Sequence, residues 1–162
     1  MPKAFKWFGV AAAVLVLDYL SKIVVLESFA PGESRQVTPF FNLVLVFNKG
    51  AAFSFLSSAP GWQTLFFAAI AVVASVVISF LIIRHAGKRL FCAGLALILG
   101  GALGNLYDRL LYGHVVDFLD FHAFGWHWPA FNVADSGITV GAVLLIVESF
   151  LGDEKKRAGA PS

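Results

Sequence analysis

Charged residues are scarce in this chain. They make up 14% of its 162 residues, whereas soluble domains average about 25%. Hydrophobic residues account for 59% of the chain, and the mean hydropathy is +0.80. This composition excludes an ordinary soluble domain and predicts an integral membrane protein. The net charge of +2 is too small to indicate nucleic-acid binding.

Cysteine is almost absent as well. The single cysteine, Cys92, excludes an intrachain disulfide and any Cys-X-X-Cys site. It lies inside an apolar run, which favours a small buried hydrophobe over a reactive nucleophile. The sequence also lacks the G-x-S-x-G pattern of many serine hydrolases, so a serine nucleophile is disfavoured.

Histidines are few, but three of the four lie close together in sequence. His114, His122 and His127 share one segment with several aspartates, which invites a metal-site interpretation. Their spacing is not i, i+4, and the chain contains no H-E-x-x-H pattern. We therefore expect no metal and no other cofactor.

Four apolar segments are long enough to cross about 30 Å of hydrocarbon. We predict spans at residues 8–26, 62–83, 90–111 and 133–151 of a single membrane domain covering residues 1–162. The first span also fits a cleaved signal peptide, with Ser28 and Ala30 as small residues at the cleavage site. Asp18 and Lys22 interrupt the apolar run before that site, so we predict a retained helix.

The distribution of Lys and Arg predicts the orientation of these spans. The first residues, the connection between the second and third spans, and the tail carry 2, 3 and 3 of them. The segment after the first span carries only Arg35 and Lys49, and residues 111–130 carry none. By the positive-inside rule both termini are then cytoplasmic. The polar residues between the third and fourth spans collect at the outer face, and Asp18 approaches the same level.

The two outer segments differ in their patterns. Phe40–Phe47 is rich in Val and Phe, which predicts a strand, and Asn48-Lys49-Gly50 predicts a turn after it. Together with Ala51–Phe55, we expect a small sheet or hairpin on the bilayer surface. Residues 111–130 are interpreted as a loop, with Trp126 and Trp128 suited to the membrane interface.

The stretch Asn105–Ser136 concentrates the polar residues of the chain. It contains four acids, one Arg and two Asn among apolar and aromatic residues. Such groups at the edge of hydrocarbon are costly and indicate a functional site. An Arg there needs a counter-charge, and Asp18 and Asp108 are the available partners for Arg109. Asp18 and Lys22, four apart on one helix face, also fit mutual neutralisation.

Asp117 and Asp135 are the candidates for chemistry. Asp135 follows Asn132 by three residues, which also fits a plain helix N-cap with an acid in the first turn. Asp117, like Asp120, also fits a solvated loop acid. As a pair in a poorly hydrated site, Asp117 and Asp135 would hold one proton between them. The ionised member then activates water and the protonated member polarises a carbonyl, which is amide hydrolysis of the aspartic-protease kind.

Five short segments, in order and spread over most of the chain, carry nearly all of these residues. They are Asp18-Tyr-Leu-Ser-Lys22, Asn48-Lys-Gly-Ala-Ala-Phe-Ser54, Gly100-Gly-Ala-Leu-Gly-Asn-Leu-Tyr-Asp-Arg109, Val115-Val-Asp-Phe118 and Phe131-Asn-Val-Ala-Asp-Ser136. Each is weak alone. Together they resemble the bacterial lipoprotein signal peptidase family, signal peptidase II.

The resemblance implies an all-α membrane protein with four transmembrane helices and a small extracytoplasmic β-rich cradle. It implies an inner-membrane aspartic peptidase that cleaves a prolipoprotein before its diacylglyceryl-modified cysteine, with Asp117 and Asp135 as the catalytic pair. We expect substrate-holding or site-bracing roles for the other motif residues, which are Asp18, Lys22, Asn48, Gly50, Asn105, Asp108, Arg109, Asn132 and Ala134. The expected partners are the lipid-modified prolipoprotein and membrane lipid, and a monomer is expected.

A small ion-coupled membrane carrier is the alternative from another class. Asp18, Lys22, Asp108 and Arg109 would then form a proton or ion relay. Four spans without a visible inverted repeat disfavour this interpretation. A carrier also needs polar groups across the midplane, whereas this chain gathers them at one face.

Overall fold

Four long helices dominate the structure, a computed structural model that describes residues 2–50 and 62–158. They are α1 (Pro2–Ser28), α2 (Trp62–Arg84), α3 (Arg89–Tyr112) and α4 (Val133–Ala158). Within the described chain, four helical segments are long and apolar enough to cross a membrane, namely Lys3–Ser28, Trp62–Arg84, Arg89–Tyr112 and Val133–Leu151. The predicted four-helix membrane fold is therefore confirmed.

Helix α3 lies at the centre and packs against α1, α2 and α4. Glycines on α3 allow the close approach of its neighbours. A Cβ built at Gly104 would lie 2.6 Å from Oδ2 of Asp18 on α1, and one at Gly101 would collide with the carbonyl oxygen of Ala134 on α4. Because only hydrogen fits at these positions, Asp18 and the start of α4 both lie directly against the last turns of α3.

A four-stranded antiparallel sheet accompanies the bundle. Its strands, in spatial order, are β1 (Ser34–Thr38), β2 (Phe41–Asn48), β3 (Val115–Ala123) and β4 (Trp126–His127). Strand β2 confirms the strand predicted at Phe40–Phe47. Its partners among the described residues are β1 and β3, whereas the expected partner Ala51–Phe55 lies outside the described residues.

The prediction that residues 111–130 form a loop was wrong, because β3 and β4 lie there. The first four residues of β3, Val115 to Phe118, are all buried. A strand buried on both faces has no alternation of apolar and polar residues to reveal it. The catalytic candidate Asp117 is therefore on a strand and not on a loop.

The two faces of β3 have different surroundings. Val116 and Phe118 pack with Leu45 against Val25, near the end of α1. Successive side chains of a strand point to opposite faces. Asp117 therefore lies on the other face of β3, together with the residues two and four positions further along that strand.

Candidate active site

Asn132 forms the N-cap of α4. Its Oδ1 accepts a hydrogen bond from the backbone N–H of Asp135 at 2.9 Å, and its carbonyl oxygen accepts one from the Ser136 N–H. This confirms the predicted cap. Asp135 consequently lies in the first turn of α4, where the helix dipole favours negative charge.

The same Asn132 side chain also holds Asp117. Its Nδ2 donates to Oδ1 of Asp117 at 2.8 Å, and the residue is completely buried. Nδ2 also lies 3.1 Å from Oδ1 of Asn105 on α3. One buried amide therefore connects the strand that carries Asp117 with the helix that carries Asp135.

Asn105 completes the connection between the two acids. Its Nδ2 donates to Oδ1 of Asp135 at 2.7 Å. Each aspartate thus accepts a hydrogen bond from one of two asparagines that are themselves bonded to each other. Asn48, at the end of β2, donates a further hydrogen bond to Oδ2 of Asp117 at 2.9 Å. The structure therefore brings Asp117, Asp135, Asn48, Asn105 and Asn132 into one site.

The environment of Asp117 controls its proton affinity. Burial is the largest effect and raises its pKa, and the negative charge of Asp135 raises it further. Hydrogen bonds from Asn48 and Asn132 favour the ionised form and lower it. The balance places the pKa of Asp117 at about 7. A carboxyl group with this pKa can both accept and donate a proton near neutral pH.

A buried ionic cluster lies beside the two acids. Nζ of Lys22 is 2.6 Å from Oδ2 of Asp18 and 2.8 Å from Oδ2 of Asp108. Asp18 accepts the backbone N–H of Ala134 at 2.8 Å, and Asp108 accepts that of Val116 at 3.0 Å. The cluster thereby fixes the first turn of α4 and the start of β3, which are the two segments that carry Asp135 and Asp117.

The predicted pairing of Arg109 with Asp18 is wrong, and no ion pair joins Arg109 to Asp108 in the part of the chain that the structure describes. Lys22 occupies both Asp18 and Asp108, so the neutralisation of Asp18 by Lys22 is the interpretation that holds. Arg109 directly follows Asp108 on α3, and adjacent residues do not face each other on a helix. Arg109 donates to the carbonyl oxygen of Asn105 at 3.2 Å, and its charge interacts most with Asp135, then with Asp117 and Asp108.

Phe67 is a site neighbour that the sequence did not reveal. The guanidinium of Arg109 lies 5.4 Å from the centre of its ring. A Cβ built at Gly50, whose φ is +98°, would lie 2.7 Å from the same ring. Phe67 thus explains why Gly50 has no room for a side chain. No signal marked Phe67, because it is one of many apolar residues in an uncharged helix.

Asp120 is not a solvated loop acid. It is buried, accepts a hydrogen bond from Asn42 at 2.8 Å, and pairs with Nδ1 of His127 at 2.9 Å. Burial alone would raise its pKa, but the bonds from Asn42 and His127 outweigh it and lower the pKa. Asp120 is three residues from Asp117 and lies on the opposite face of β3, so it belongs to a separate cluster.

The histidines do not assemble around the two acids. His122 stacks on His127 with ring centres 4.8 Å apart, and His114 lies against Phe47. Across residues 2–50 and 62–158, no three His, Cys, Asp or Glu side chains are grouped so as to hold a metal ion.

Known proteins resemble this chain over most of its length. A sequence profile described as signal peptidase (SPase) II matches residues 10–151. The chain is 62% identical over 142 residues to a lipoprotein signal peptidase of Ralstonia nicotianae, covering 88% of this chain and 82% of that protein. It is 58% identical over 153 residues to one of Janthinobacterium sp., covering 94% and 90% of the two chains.

Two solved structures, each described as a bacterial membrane enzyme, share the fold. One has a TM-score of 0.82 at 31% identity and covers 97% of this chain and 94% of its own. The other has a TM-score of 0.78 at 33% identity, with coverages of 88% and 91%. With a profile match over most of its length and relatives at about 60% identity, the chain belongs to the signal peptidase II family.

Proposed function

We propose that this chain is an aspartic endopeptidase that removes the signal peptide from diacylglyceryl-modified prolipoproteins, cutting before the lipidated cysteine. The observation that carries the proposal is the pairing of Asp117 and Asp135 through the bonded amides of Asn105 and Asn132. Membership of the family supports the substrate class, since relatives of this chain are named lipoprotein signal peptidases.

The proposed reaction uses one proton shared by the two aspartates. The ionised carboxylate takes a proton from a water molecule, and the resulting hydroxide attacks the scissile carbonyl carbon. The protonated carboxyl group donates its proton to the carbonyl oxygen, which gives a neutral tetrahedral intermediate. The intermediate collapses when the carboxyl group that took the proton from water passes it to the amide nitrogen. One hydroxyl group returns its proton to the other carboxylate, the C–N bond breaks, and the amine of the lipidated cysteine leaves. Asp117, whose pKa is about 7, has the balanced proton affinity that both steps require.

The surrounding polar residues have supporting roles in this proposal. Asn48, Asn105 and Asn132 orient the carboxylate oxygens through hydrogen bonds of 2.7–2.9 Å. Arg109 supplies a positive charge close to both aspartates. Holding the reacting groups in place before substrate arrives lowers the entropic part of the barrier.

The site lies at one end of the helix bundle, where α3 ends and α4 begins. We propose that this end faces the extracytoplasmic side and that both termini are cytoplasmic, because Lys and Arg concentrate at the opposite connections. We further propose a monomer, since one chain provides both aspartates and the hydrogen bonds described around them.

The carrier alternative receives less support. Three of its four relay candidates, Asp18, Lys22 and Asp108, form a buried cluster in which both carboxylates contact Lys22 and each accepts a backbone N–H. These bonds bind the relay candidates to one another at one end of the bundle, whereas an ion pathway requires exchangeable sites across the membrane.

A cleavage assay tests the proposal. Purified protein in lipid is incubated with a synthetic precursor peptide that carries the diacylglyceryl-modified cysteine, and with the same peptide without lipid. We expect a single cut before the cysteine in the lipidated peptide only. Ion-gradient-dependent uptake into vesicles without any cleavage would instead support the carrier.

A further inference from the structure

An open aromatic cleft of about 480 Å³ lies at the β3–β4 end of the sheet. Five of its lining residues are Phe or Trp, and the other two are His122 and Ala123; the five are Phe40, Phe121, Trp126, Trp128 and Phe131. The walls are held by ring contacts, with Phe121 stacked on Phe131 at 5.9 Å and Trp126 edge-on to Trp128 at 5.7 Å. No Asp, Glu, Lys or Arg is among the described residues that line it. The cleft is therefore suited to an apolar side chain.

Phe121, one of the residues that line the cleft, lies on the same face of β3 as Asp117. Strand β3 pairs with β2 through Val46↔Asp117, Leu43↔Leu119 and Phe41↔Phe121, and the irregularity in this pairing is on β2. Alternation along β3 therefore places Asp117 and Phe121 on one face, about 13 Å apart at roughly 3.3 Å per residue.

A second segment also joins the cleft to the catalytic pair. Phe131 forms a bridge with Leu119 and directly precedes Asn132, the residue that donates to Asp117. The cleft and the pair of aspartates thus share both β3 and the segment that enters α4. A peptide bound at the aspartates can continue along this face into the cleft.

The position of the cleft indicates which part of a substrate reaches it. Strand β4 contacts β3 and no helix in the part of the chain that the structure describes. The apolar signal peptide stays with the membrane-spanning helices, whereas the chain after the cleaved bond continues away from them. An extended chain covers about 13 Å in four residues. The residues about three to five positions after the lipidated cysteine are therefore the ones within reach.

Exposure of the two tryptophans supports a binding role. Trp126 and Trp128 are 61% and 56% exposed, although each offers a large apolar surface. Grouped exposed apolar residues mark sites of interaction. We propose that this cleft is a specificity subsite that binds an apolar or aromatic side chain in the first residues of the mature lipoprotein, a proposal that rests on the proposed peptidase function.

The test uses lipidated precursor peptides that differ at one position. A single Leu is moved from the second to the sixth residue after the cysteine in an otherwise Gly/Ser segment, and Asp replaces it in a parallel series. For the wild-type protein we expect kcat/KM to favour Leu over Asp by about tenfold or more at one position between three and five. Equal kcat/KM values for Leu and Asp at every position would overturn the proposal.

Variants of the cleft residues test whether the preference for Leu over Asp arises from the cleft. Trp126→Ala and Trp128→Ala should each reduce the preference for Leu severalfold, while a peptide that ends two residues after the cysteine is cleaved at the wild-type rate. Phe124→Ala is the matched control, because Phe124 is at the tip of the same hairpin, is fully exposed and does not line the cleft. It should retain the full preference.

Other outcomes of these experiments distinguish failure of the subsite from failure of the proposed peptidase function. If Trp126→Ala, Trp128→Ala and Phe124→Ala all slow every peptide equally, including the short one, the aromatic residues anchor the hairpin in the bilayer and the subsite is refuted. If the wild-type protein cleaves none of the lipidated peptides, the proposed peptidase function fails. Cleavage of all peptides without any preference refutes only the subsite.

Discussion

The side chains of Asn132 and Asp117 are joined by a hydrogen bond of 2.8 Å in a fully buried environment. The other end of the Asn132 amide caps α4 by accepting the N–H of Asp135. Because one planar group makes both contacts, the position of the Asp117 carboxylate is tied to the position of the backbone at Asp135. This coupling distinguishes Asn132 from an ordinary N-cap residue.

Asn132→Ser separates the two functions of this side chain. Serine is also a good N-cap, so the stability of α4 should be largely retained, but its short hydroxyl cannot reach Asp117 as well. Asn132→Ala removes both contacts and should also lower stability by about 1–2 kcal/mol. We expect both variants to lose most peptidase activity, while thermal unfolding separates them. An Asn132→Ser protein as active as the wild type would remove the positioning role.

The raised pKa of Asp117 predicts a pH-dependent stability. The pKa is about 7 in the folded protein against an ordinary value of 3.8, so the folded state binds more protons than the unfolded state between these limits. Stability from this group is therefore greatest at low pH and falls as pH rises towards 7. The Asn side chain of the Asp117→Asn variant cannot titrate. The Tm of the variant minus the Tm of the wild type should therefore increase from pH 5 to pH 8. Parallel Tm curves for the two proteins would contradict this environment for Asp117.

Lys22→Met should be strongly destabilising. Lys22 is the cation shared by Asp18 and Asp108, and its removal leaves buried carboxylates without their counter-charge. Breaking such a pair typically costs about 3–5 kcal/mol. The expected result is a low yield of folded protein and a lower Tm. Arg35→Met, which breaks the exposed pair with Glu33, is the control and should behave like the wild type.

Asp120→Asn should separate stability from catalysis. Asp120 lies on the sheet face opposite Asp117 and bonds to Asn42 and His127, so we expect the variant to remain active. The lowered pKa of Asp120 means that its ionised form stabilises the fold above its unfolded-state pKa, and that this contribution disappears as pH falls through the folded value. The variant should therefore have a lower Tm than the wild type at pH 7, with the gap narrowing in acid. Loss of cleavage by a well-folded variant would place Asp120 in the chemistry.

The membrane fold could be predicted from composition and segment length, because a helix that crosses hydrocarbon needs a long apolar run and little else. The position of strand β3 could not. Its residues Val115 to Phe118 are buried on both faces, so the period-2 pattern that reveals a half-buried strand is absent. The same absence hid the fact that Asp117 and Asp120 lie on opposite faces.

The site residues could be predicted as a set, but not all of their pairings. The spacing of Asn132 and Asp135 already indicated the cap, because capping is local. Which cation neutralises Asp18 and Asp108 depends on how α1 is rotated against α3, and this is decided by packing at Gly104 and its neighbours. Of the two possibilities that the sequence left open for Asp18, the pairing with Lys22 is the one observed, and Lys22 also pairs with Asp108.

Replacement of Asp117 and Asp135 by Asn tests directly whether these two residues are the catalytic pair. Asp117→Asn, Asp135→Asn and the control Glu148→Gln are assayed for cleavage and for binding of the lipidated precursor peptide, with and without a chelator. Glu148 is an acid on the same helix as Asp135, about 20 Å away at 1.5 Å per residue. We predict that each Asp→Asn variant binds the peptide but does not cleave it, that Glu148→Gln cleaves normally, and that the chelator has no effect. Normal cleavage by either Asp→Asn variant, or activity lost to a chelator and restored by a divalent ion, would contradict this prediction.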